Sequence, residues 1–515
     1  MIKHILIVLL LLSKQFIYCQ IDGDNIFDKN QVINVELNFS QTNYWDSLVN
    51  NYNASQYMKV DLLITDSTGT TSFNDVGIRL KGNSSYMHPG NKKSFKIDFN
   101  KYISGQNYDG LKKLNFSNGF KDPSLMREKL FFDFCKVVDV PAPRANFANV
   151  YFNGTLWGFY TVIEQIDDQF LDWNILDDEG NLFKAGDNFG GSPNGGGNEA
   201  DLKYYGNNQT NYYDLYELKS NKDTNDWTDF IQLIDFINNS TNTVFENELP
   251  IHIELEQYLR SVALDNLFSN LDTYTESARN YYLYHNLTSN KWEWIKWDAN
   301  ETFGTYGGQT VSNMTTMAID FHSNNRPLLE RIFDSPIIFD QYRGQICYLI
   351  ENFFIPTYLN PKIDELKSLI QSSVFADNNK MYSNANFTAI INNNITVGGG
   401  PMGGTMYGLK SFIQQRRNYI SQALDCSGFN SIISRKNMRS VYPNPFRNEL
   451  KIKQLKNEFD FIEIYNLLGE KIYKQQLNLF TILNLNFLEN GIYTIKLSSK
   501  TTINKNPELI SIIKI

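Results

Sequence analysis

Cysteine and histidine are scarce in this chain of 515 residues, which holds four cysteines and five histidines. After the N-terminal segment only Cys135, Cys347 and Cys426 remain. Three cysteines cannot form the set of several disulfides that stabilises small exported proteins, and their spacing does not indicate which two would form a single bridge. With so few thiol and imidazole ligands, a structural zinc site is not expected.

Long apolar runs are also missing beyond the N-terminus, since no later stretch approaches the roughly 20 apolar residues that a transmembrane helix needs. Residues 1–19 combine a charged start at Lys3 with a short apolar run over residues 5–12 and a polar end. This order is typical of a signal peptide. We expect cleavage before Gln20, with lipid attachment at Cys19 as the alternative, and therefore a secreted protein without a transmembrane segment.

An excess of positive charge is absent as well. The chain carries a net charge of −9, to which residues 1–19 contribute +2 and residues 440–515 contribute +3, so the region between them carries −14. Such an acidic region argues against a nucleic-acid partner, because the phosphate backbone attracts basic surfaces.

The order of sequence patterns predicts an α+β protein with more than one folding unit. Residues 31–99 contain several strand-like runs, which predict an N-terminal antiparallel sheet, and the alternating residues 145–167 hold an Asn-Gly pair that favours a hairpin turn. Between them, Asp122 and Pro123 suit the start of a helix that runs to Val138. Residues 224–272, 327–375 and 409–424 have helical spacing, so the second half of this body is predicted to be mainly α.

The last 75 residues differ in pattern from the rest. Strand-like runs alternate with turns that contain Pro443, Pro445, Gly469 and Gly491. This pattern predicts a small all-β, sandwich-like domain over residues 441–515, joined to a body of residues 20–430 by a linker of residues 431–440.

Two resemblances give these domains a function. The motifs YPNP at 442–445, IYNLLGEKI at 464–472 and GIYTIKL at 491–497 resemble the C-terminal sorting domain of the type IX secretion system. That resemblance implies export by the type IX secretion machinery, either to the medium or to attachment on the outer surface of the cell.

The body resembles the CotH kinase family. Its motifs are RLKGNSS at 79–85 with KKSFKIDF at 92–99, and NLDTYTESARNYYLY with WEWIKWDANETFG within 270–304; residues 122–144 and 150–171 extend the likeness. The family implies an atypical protein-kinase-like fold that uses ATP and Mg²⁺, with Mn²⁺ as a substitute, to phosphorylate Ser or Thr of partner proteins.

Phosphoryl transfer needs carboxylates or amides for Mg²⁺ and a carboxylate near the attacking hydroxyl. Asp298 follows the strand-like run WEWIKW and is predicted to bind the metal. The resemblance makes Asp272 the catalytic base and Asn280 the second metal ligand, in the order of a kinase catalytic loop. The alternative is that Asp272 and Asn280 only shape their loop.

The phosphate-binding side is less specific in sequence. Lys96 on a strand and Glu128 on the next helix have the order of the kinase lysine and its helix glutamate, and Arg79 is a further cofactor-binding candidate. Four other basic residues are alternatives to Lys96 in this role, and each of them could instead be a solvated strand charge: Lys81, Lys92, Lys93, Arg79. Glu128 could instead pair with Arg127.

One residue departs from the family pattern. Many relatives carry a second aspartate two residues after the first, where this chain has Asn300, a neutral ligand that would bind a metal less tightly. We therefore expect a secreted Ser/Thr protein kinase, with a non-catalytic surface protein that serves adhesion or matrix assembly as the alternative.

Overall fold

A computed structural model of the chain describes residues 21–175, 177–186, 199–306, 311, 313–398, 404–429, 439–442, 449–454, 459–477, 480–499 and 508–514. The predicted signal peptide and most of the predicted linker lie outside these residues. Contacts divide the chain into two compact units, one formed by residues 22–438 and the other containing residues 439–515.

The first part of the larger unit is a closed β-barrel with strand order β1-β2-β3-β4-β5-β7-β6. Its strands are β1 (Val32–Asn38), β2 (Met58–Asp66), β3 (Gly69–Lys81), β4 (Ser94–Asp98), β5 (Lys113–Ser117), β6 (Ala145–Phe152) and β7 (Thr155–Glu164). The predicted sheet was antiparallel, and this is wrong at one seam, where β1 pairs with β6 in parallel and closes the barrel. Apolar residues that alternate along β1 to β5 fill its interior.

The hairpin between β6 and β7 is confirmed. Asn153 and Gly154 form its turn with φ of 47° and 75°, the left-handed conformation that a two-residue type I′ turn requires and that asparagine and glycine adopt most easily.

Short helices connect the barrel strands. They are α1 (Asp24–Phe27), α2 (Tyr44–Asn50), α3 (Ser84–Met87), α4 (Arg127–Val137) and α5 (Asp168–Asn174). The predicted helix over 122–138 begins five residues later than expected, because Leu125 has a left-handed φ of 56° that a helix cannot contain. Asp122 accepts hydrogen bonds from the backbone N–H of Ser124 and of Arg127, so it still shapes the approach to α4.

A second sheet follows the barrel, with order β11-β10-β8-β9. Its strands are β8 (Leu182–Ala185), β9 (Tyr216–Leu218), β10 (Tyr281–Asn286) and β11 (Lys291–Lys296).

Helices dominate the remainder of the larger unit, as predicted. They are α6 (Thr228–Asn239), α7 (Asn242–His252), α8 (Leu255–Leu267), α9 (Pro327–Asp334), α10 (Pro336–Asn352), α11 (Pro356–Ala376), α12 (Asn384–Ile390) and α13 (Leu409–Ala423), with 3₁₀ turns at Gln209–Tyr212 and Met314–Thr316. A small hairpin of β12 (Ile395–Val397) and β13 (Gly404–Met406) precedes α13. A disulfide joins Cys347 on α10 to Cys426 beyond α13, whereas Cys135 is a buried free thiol.

The C-terminal unit is all-β, as predicted. Its strands are β14 (Arg439–Tyr442), β15 (Glu449–Gln454), β16 (Phe461–Tyr465), β17 (Lys471–Gln476), β18 (Phe480–Asn484), β19 (Gly491–Ser498) and β20 (Glu508–Lys514). They form two sheets, β14-β15-β18 and β17-β16-β19-β20, whose apolar residues share one core. Strand β18 was not predicted from the sequence.

Candidate functional site

Asp272 and Asn280 lie together where helix α8 leads into strand β10. The Asn280 side-chain amide donates to the Asp272 carboxylate at 3.0 Å and to the Asp272 carbonyl at 2.8 Å. The other carboxylate oxygen of Asp272, Oδ1, is buried and has no hydrogen-bond partner in the described part of the chain; Arg279 Nε is 3.9 Å away. A buried carboxylate oxygen without a hydrogen bond costs free energy. A hydroxyl proton or a cation that contacts Asp272 Oδ1 would therefore be stabilising.

Asp298 stands at the end of β11, as predicted, separated from the strand by Trp297. Both Asp298 and Asn280 have left-handed backbones, with φ of 54° and 60°. Burial raises the pKa of Asp298, and the negative charge of Asp272 raises it further, whereas Lys81 and Lys184 lower it. The two predicted carboxylates therefore act on one another electrostatically, and unusual backbone conformations are concentrated at their loops.

Glu128 on α4 faces the same region. Burial raises the pKa of Glu128 to about 8, and the nearby charge of Asp298 adds to this effect, while a hydrogen bond with Ser117 and the charge of Lys81 oppose it. The alternative pairing with Arg127 is not observed, since Arg127 Nε lies 3.3 Å from Asp122 and its guanidinium donates to the Thr302 carbonyl.

Lys81, rather than Lys96, is the lysine whose charge acts on Glu128 and Asp298. Burial lowers its pKa, and these two acids raise it. Its Nζ donates to Asn115 Oδ1 at 3.3 Å and lies 5.1 Å above the Trp297 ring. Lys81 is the last residue of β3, and the charges of Glu128 and Asp298 act on it.

Lys96 lies in the middle of β4, and its contacts differ from those of Lys81. Its Nζ donates to Gln165 Oε1 at 2.6 Å, and the same oxygen accepts from Asn115 at 3.2 Å, so Asn115 and Gln165 connect Lys96 to Lys81. Burial holds the pKa of Lys96 well below its usual range, and the positive charges of Lys81, Arg79, Lys219 and Lys184 add to that effect.

Two lysines of the second sheet complete this group and were not predicted from the sequence. Burial lowers the pKa of Lys184 to about 7, with further lowering by Lys219 and Lys81. Lys219 pairs with Glu217 at 2.8 Å. We call Lys81, Lys96, Lys184 and Lys219 the lysine cluster. The sequence offered one signal for Lys184, which is its isolated position in the apolar strand sequence LFKA. A lysine in such a strand is expected to be buried, and a buried lysine needs an anionic partner.

The other cationic candidates are placed differently. Arg79 lies over the Tyr57 ring, 5.4 Å from its centre, and still acts on Lys81 and Lys96 through its charge. Lys92 forms a buried ion pair with Asp377 at 2.7 Å, and Lys93 donates to the Tyr86 carbonyl at 2.6 Å. These last two lysines hold loops in place rather than facing the carboxylates.

Asn300 and Glu301 follow Asp298 in the same turn. The Asn300 amide donates to the Phe120 carbonyl at 2.9 Å, which ties this turn to the segment before α4. Glu301 pairs with Lys121 at 2.8 Å, and burial together with the charge of Asp272 raises its pKa to about 8. Glu301 was missed in the sequence, although it stands only three residues after Asp298.

Comparison with protein families is decisive for the body. Residues 78–420 match the family model described as CotH kinase protein. This chain belongs to the CotH kinase protein family. Residues 440–511 match the model of the secretion system C-terminal sorting domain, which implies secretion. The CotH chain described here is thus a kinase-like protein with a sorting domain.

A curated relative and a solved structure are similar to this CotH family member at low identity. The inner spore coat protein H of Bacillus subtilis (strain 168) is 28% identical over 310 residues, which cover 59% of this chain and 78% of that protein. Among solved structures, the Helicobacter pylori proinflammatory kinase CtkA matches at 12% identity over 53% of this chain and 90% of that one. Its TM-score of 0.22 is too low to establish a shared fold.

The donor set of this CotH protein suits Mg²⁺ better than a transition metal. Among the described residues, no group of three or more His, Cys, Asp or Glu side chains converges as a metal site. A hard cation needs oxygen ligands and often completes its shell with water and substrate phosphates, so the carboxylate of Asp298 and the side-chain oxygen of Asn280 are suitable. Asp272 is connected to both residues, to Asn280 by a hydrogen bond and to Asp298 through its charge.

No helix in the described ranges is both long and apolar enough to cross a membrane.

Proposed function

We propose that this protein is a secreted kinase that transfers the γ-phosphoryl group of ATP to Ser or Thr of partner proteins. Two observations support the proposal: the Asn280 amide holds the Asp272 carboxylate, and the charge of Asp272 acts on Asp298. Phosphoryl transfer requires carboxylates or amides for the metal ion and cations for the phosphates, and Lys81 and Lys184 act on Asp298 through their charges.

Asp272 is the residue that would accept the proton of the attacking hydroxyl. Its Oδ2 is fixed by Asn280, while Oδ1 is left for the substrate. A general base must lie within hydrogen-bond reach of the proton it removes, and a fixed orientation supports such a contact. Asn280 is therefore both a candidate metal ligand through its oxygen and a positioning residue through its nitrogen.

Asp298 and Asn280 would hold Mg²⁺, with Mn²⁺ as a substitute. When bound, this ion supplies positive charge that offsets the charge of the phosphate oxygens. Asp298 has a raised pKa because it is partly buried beside another acid, so a cation at this position restores its ionised form.

The lysine cluster would bind the phosphate chain. Lys81 and Lys184 act on Asp298 through their charges, and Lys96 and Arg79 extend the positive region around Lys81. Burial and mutual repulsion lower the pKa values of Lys81, Lys96 and Lys184, and the charge of Arg79 adds to the repulsion on Lys81 and Lys96. An anion among these residues would offset the repulsion and favour the charged forms of the lysines. Lys96 and Arg79 thus keep the cofactor-binding roles predicted for them, with Lys81 in the role that pairs with Glu128.

Export would proceed by removal of residues 1–19 and recognition of the tail by the type IX secretion machinery. The sorting-domain match supports the second step. The mature protein would then be extracellular or attached to the outer surface of the cell.

Radiolabelled phosphate transfer tests the proposal. The mature protein is incubated with labelled ATP, Mg²⁺ or Mn²⁺ and a casein-like acceptor, beside its Asp298→Ala variant. A matched control is Asp340→Ala, which removes an exposed acid on α10 that pairs with Arg343. Labelling that disappears in Asp298→Ala and persists in Asp340→Ala supports the kinase.

If no label is transferred, the thermal stability of the protein with and without ATP and Mg²⁺ is measured. Saturating ATP with Mg²⁺ stabilises a binding protein by about 2.7 kcal/mol at a hundredfold excess over Kd. No labelling of the protein itself or of the acceptor, together with no thermal shift, would overturn the proposal in favour of a non-catalytic surface protein.

A further inference from the structure

The outer face of the barrel carries basic side chains that lead towards the site. Strand register places Lys59 of β2 opposite Gly77 of β3, and Arg79 of β3 opposite Lys96 of β4. Ile78, between Gly77 and Arg79, points into the barrel core. Because side chains alternate along a strand, Arg79 and Lys96 project from the outer face, as does Lys59.

Tyr57 lies between two cations on this face. The guanidinium of Arg79 and the ammonium of Lys101 each lie 5.4 Å from the centre of its ring. Gly77 makes this approach possible, since a Cβ at that position would lie 2.8 Å from Lys101 Cβ and 2.9 Å from Tyr57 Cδ1. The absence of a side chain at Gly77 thus lets an aromatic ring and a lysine pack over the strand.

A second aromatic ring extends the same surface. The Tyr102 hydroxyl donates to the Tyr57 carbonyl at 2.8 Å, and Lys59 lies 5.2 Å from the Tyr102 ring. Tyr102 is 39% exposed and the Lys59 side chain 55% exposed, so both can contact a ligand. The basic aromatic surface consists of these residues: Tyr57, Lys59, Arg79, Lys101, Tyr102.

The cations of this surface contrast with the body as a whole, whose residues 20–439 carry a net charge of −14. Asp75 pairs with Lys59 at 2.9 Å, and its backbone N–H donates to Asp61, so two acids adjoin Lys59. Asp98, opposite Gly77 in the register, is buried. Arg79 and Lys101 are the cations that contact Tyr57. At the other edge, Arg79 adjoins Lys96 and so connects the surface to the lysine cluster.

We propose that the basic aromatic surface binds an acidic segment of the phosphoacceptor protein and leads its hydroxyl residue towards Asp272. This inference rests on the proposed kinase function and names the class of its protein substrate. Glutamate and aspartate side chains complement Lys59 and Lys101, while Arg79 joins this surface to the ATP-binding cations. The tyrosine rings provide flat contacts for the aliphatic parts of a peptide. Continuity with the site favours an acceptor segment over a polysaccharide of the cell surface.

Binding of a peptide to the full-length mature protein without ATP tests the surface directly. The probe is a fluorescent peptide of alternating glutamate and serine, followed by anisotropy at low and high salt. Lys101→Glu and Lys59→Glu each reverse one exposed charge and should weaken binding about tenfold, with the loss reduced at high salt. The matched control is Lys362→Glu on α11, an exposed lysine that lies 4.9 Å from the Tyr358 ring.

The outcomes separate this inference from the kinase proposal. Unchanged affinity in both surface variants, or an equal loss in Lys362→Glu, would overturn it, as would binding of polygalacturonate in preference to the acidic peptide. In the active protein, Lys101→Glu should raise KM for the acidic peptide and leave kcat unchanged. A protein that binds the peptide but transfers no phosphate would contradict the kinase proposal and leave acidic-peptide binding by the basic aromatic surface supported.

Discussion

The side-chain amide of Asn280 donates to both the carboxylate and the carbonyl of Asp272, at 3.0 and 2.8 Å. These two bonds span eight residues of loop and fix Asp272 from a residue that directly precedes β10. The amide orients the Asp272 carboxylate through Oδ2, while the nearest cation, Arg279, has its Nε 3.9 Å from Oδ1.

Replacing Asp272 by asparagine should reduce kcat and leave nucleotide affinity nearly unchanged. Loss of a general base lowers the rate by roughly 10² to 10⁴-fold. Steady-state phosphorylation gives kcat, and calorimetry with a non-hydrolysable ATP analogue gives affinity. Asp340→Asn, an exposed substitution on α10, is the control, and a kcat for Asp272→Asn equal to that control would contradict the role.

Lys81→Met should weaken ATP binding more than Lys96→Met does. Lys81 acts on Glu128 and Asp298 through its charge, whereas the charges that act on Lys96 are those of other cations. We expect at least about a tenfold increase in Kd for Lys81→Met, the usual scale for one lost charged contact. Calorimetric titration measures it, with Lys93→Met as control, and the reverse order of the two effects would return the kinase-lysine role to Lys96.

Lys184 should make the stability of the nucleotide-free protein depend on pH. Its pKa falls from 10.5 to about 7, first through burial and then through Lys219 and Lys81. Between these values the unfolded chain binds a proton that the folded chain does not, so the free energy of unfolding rises with pH. Lys184→Met removes this contribution, and urea midpoints at both ends of the window measure it.

The control for Lys184 is Lys222→Met, which changes a lysine with a 58% exposed side chain. It should retain the full pH dependence of the wild type. An identical rise of stability with pH in wild type and in Lys184→Met would show that Lys184 is not the group responsible.

The local patterns of the sequence were sufficient for most strands and helices, because alternation and helical spacing are properties of neighbouring residues. The closure of the barrel was not predictable in this way, since it depends on parallel pairing such as Val32 with Phe147, far apart in the chain. Asp298 could be placed at a strand end because the run WEWIKW before it is rich in residues that favour strands. Lys81 and Lys96 could not be ranked, because both lie on outward-facing positions of adjacent strands.

Residues outside recognised motifs were the ones missed at the site. Lys184 lies on β8, which enters the site only through the pairing of β8 with β10. Glu301 is not part of the family pattern, which places its second aspartate at the position of Asn300. The Asn300 amide donates to the Phe120 carbonyl. The charged groups that act on Lys184 and Glu301 are brought near them by tertiary packing, which the spacing of residues along the sequence does not predict.

Reduction of the disulfide between Cys347 and Cys426 should destabilise the body. The bridge joins residues 79 apart, and a loop of that size stabilises by about 4 kcal/mol in the chain-entropy model. Urea midpoints with and without reductant measure the effect, which should vanish in the Cys347→Ser/Cys426→Ser variant. Cys135→Ala should keep it, and a wild type insensitive to reductant would contradict the prediction.

Lys92→Met should be one of the most destabilising single substitutions in the barrel. Lys92 and Asp377 are 1% and 0% exposed and form an ion pair at 2.7 Å, and Asp377 also accepts from the backbone N–H of Phe159 at 3.0 Å. Removing the lysine leaves a buried carboxylate without its counter-charge, which costs about 3–5 kcal/mol.

The double variant Lys92→Met/Asp377→Asn separates charge from packing. It removes both charges while the asparagine oxygen still accepts from Phe159, so much of the lost stability should return. The control is Lys112→Met, which breaks an exposed pair with Asp168 at 2.8 Å and should cost less than about 1 kcal/mol. All seven tryptophans precede residue 298, so their fluorescence in urea reports unfolding of the body alone. Equal small losses in Lys92→Met and Lys112→Met would show that the buried pair contributes no more than a surface one.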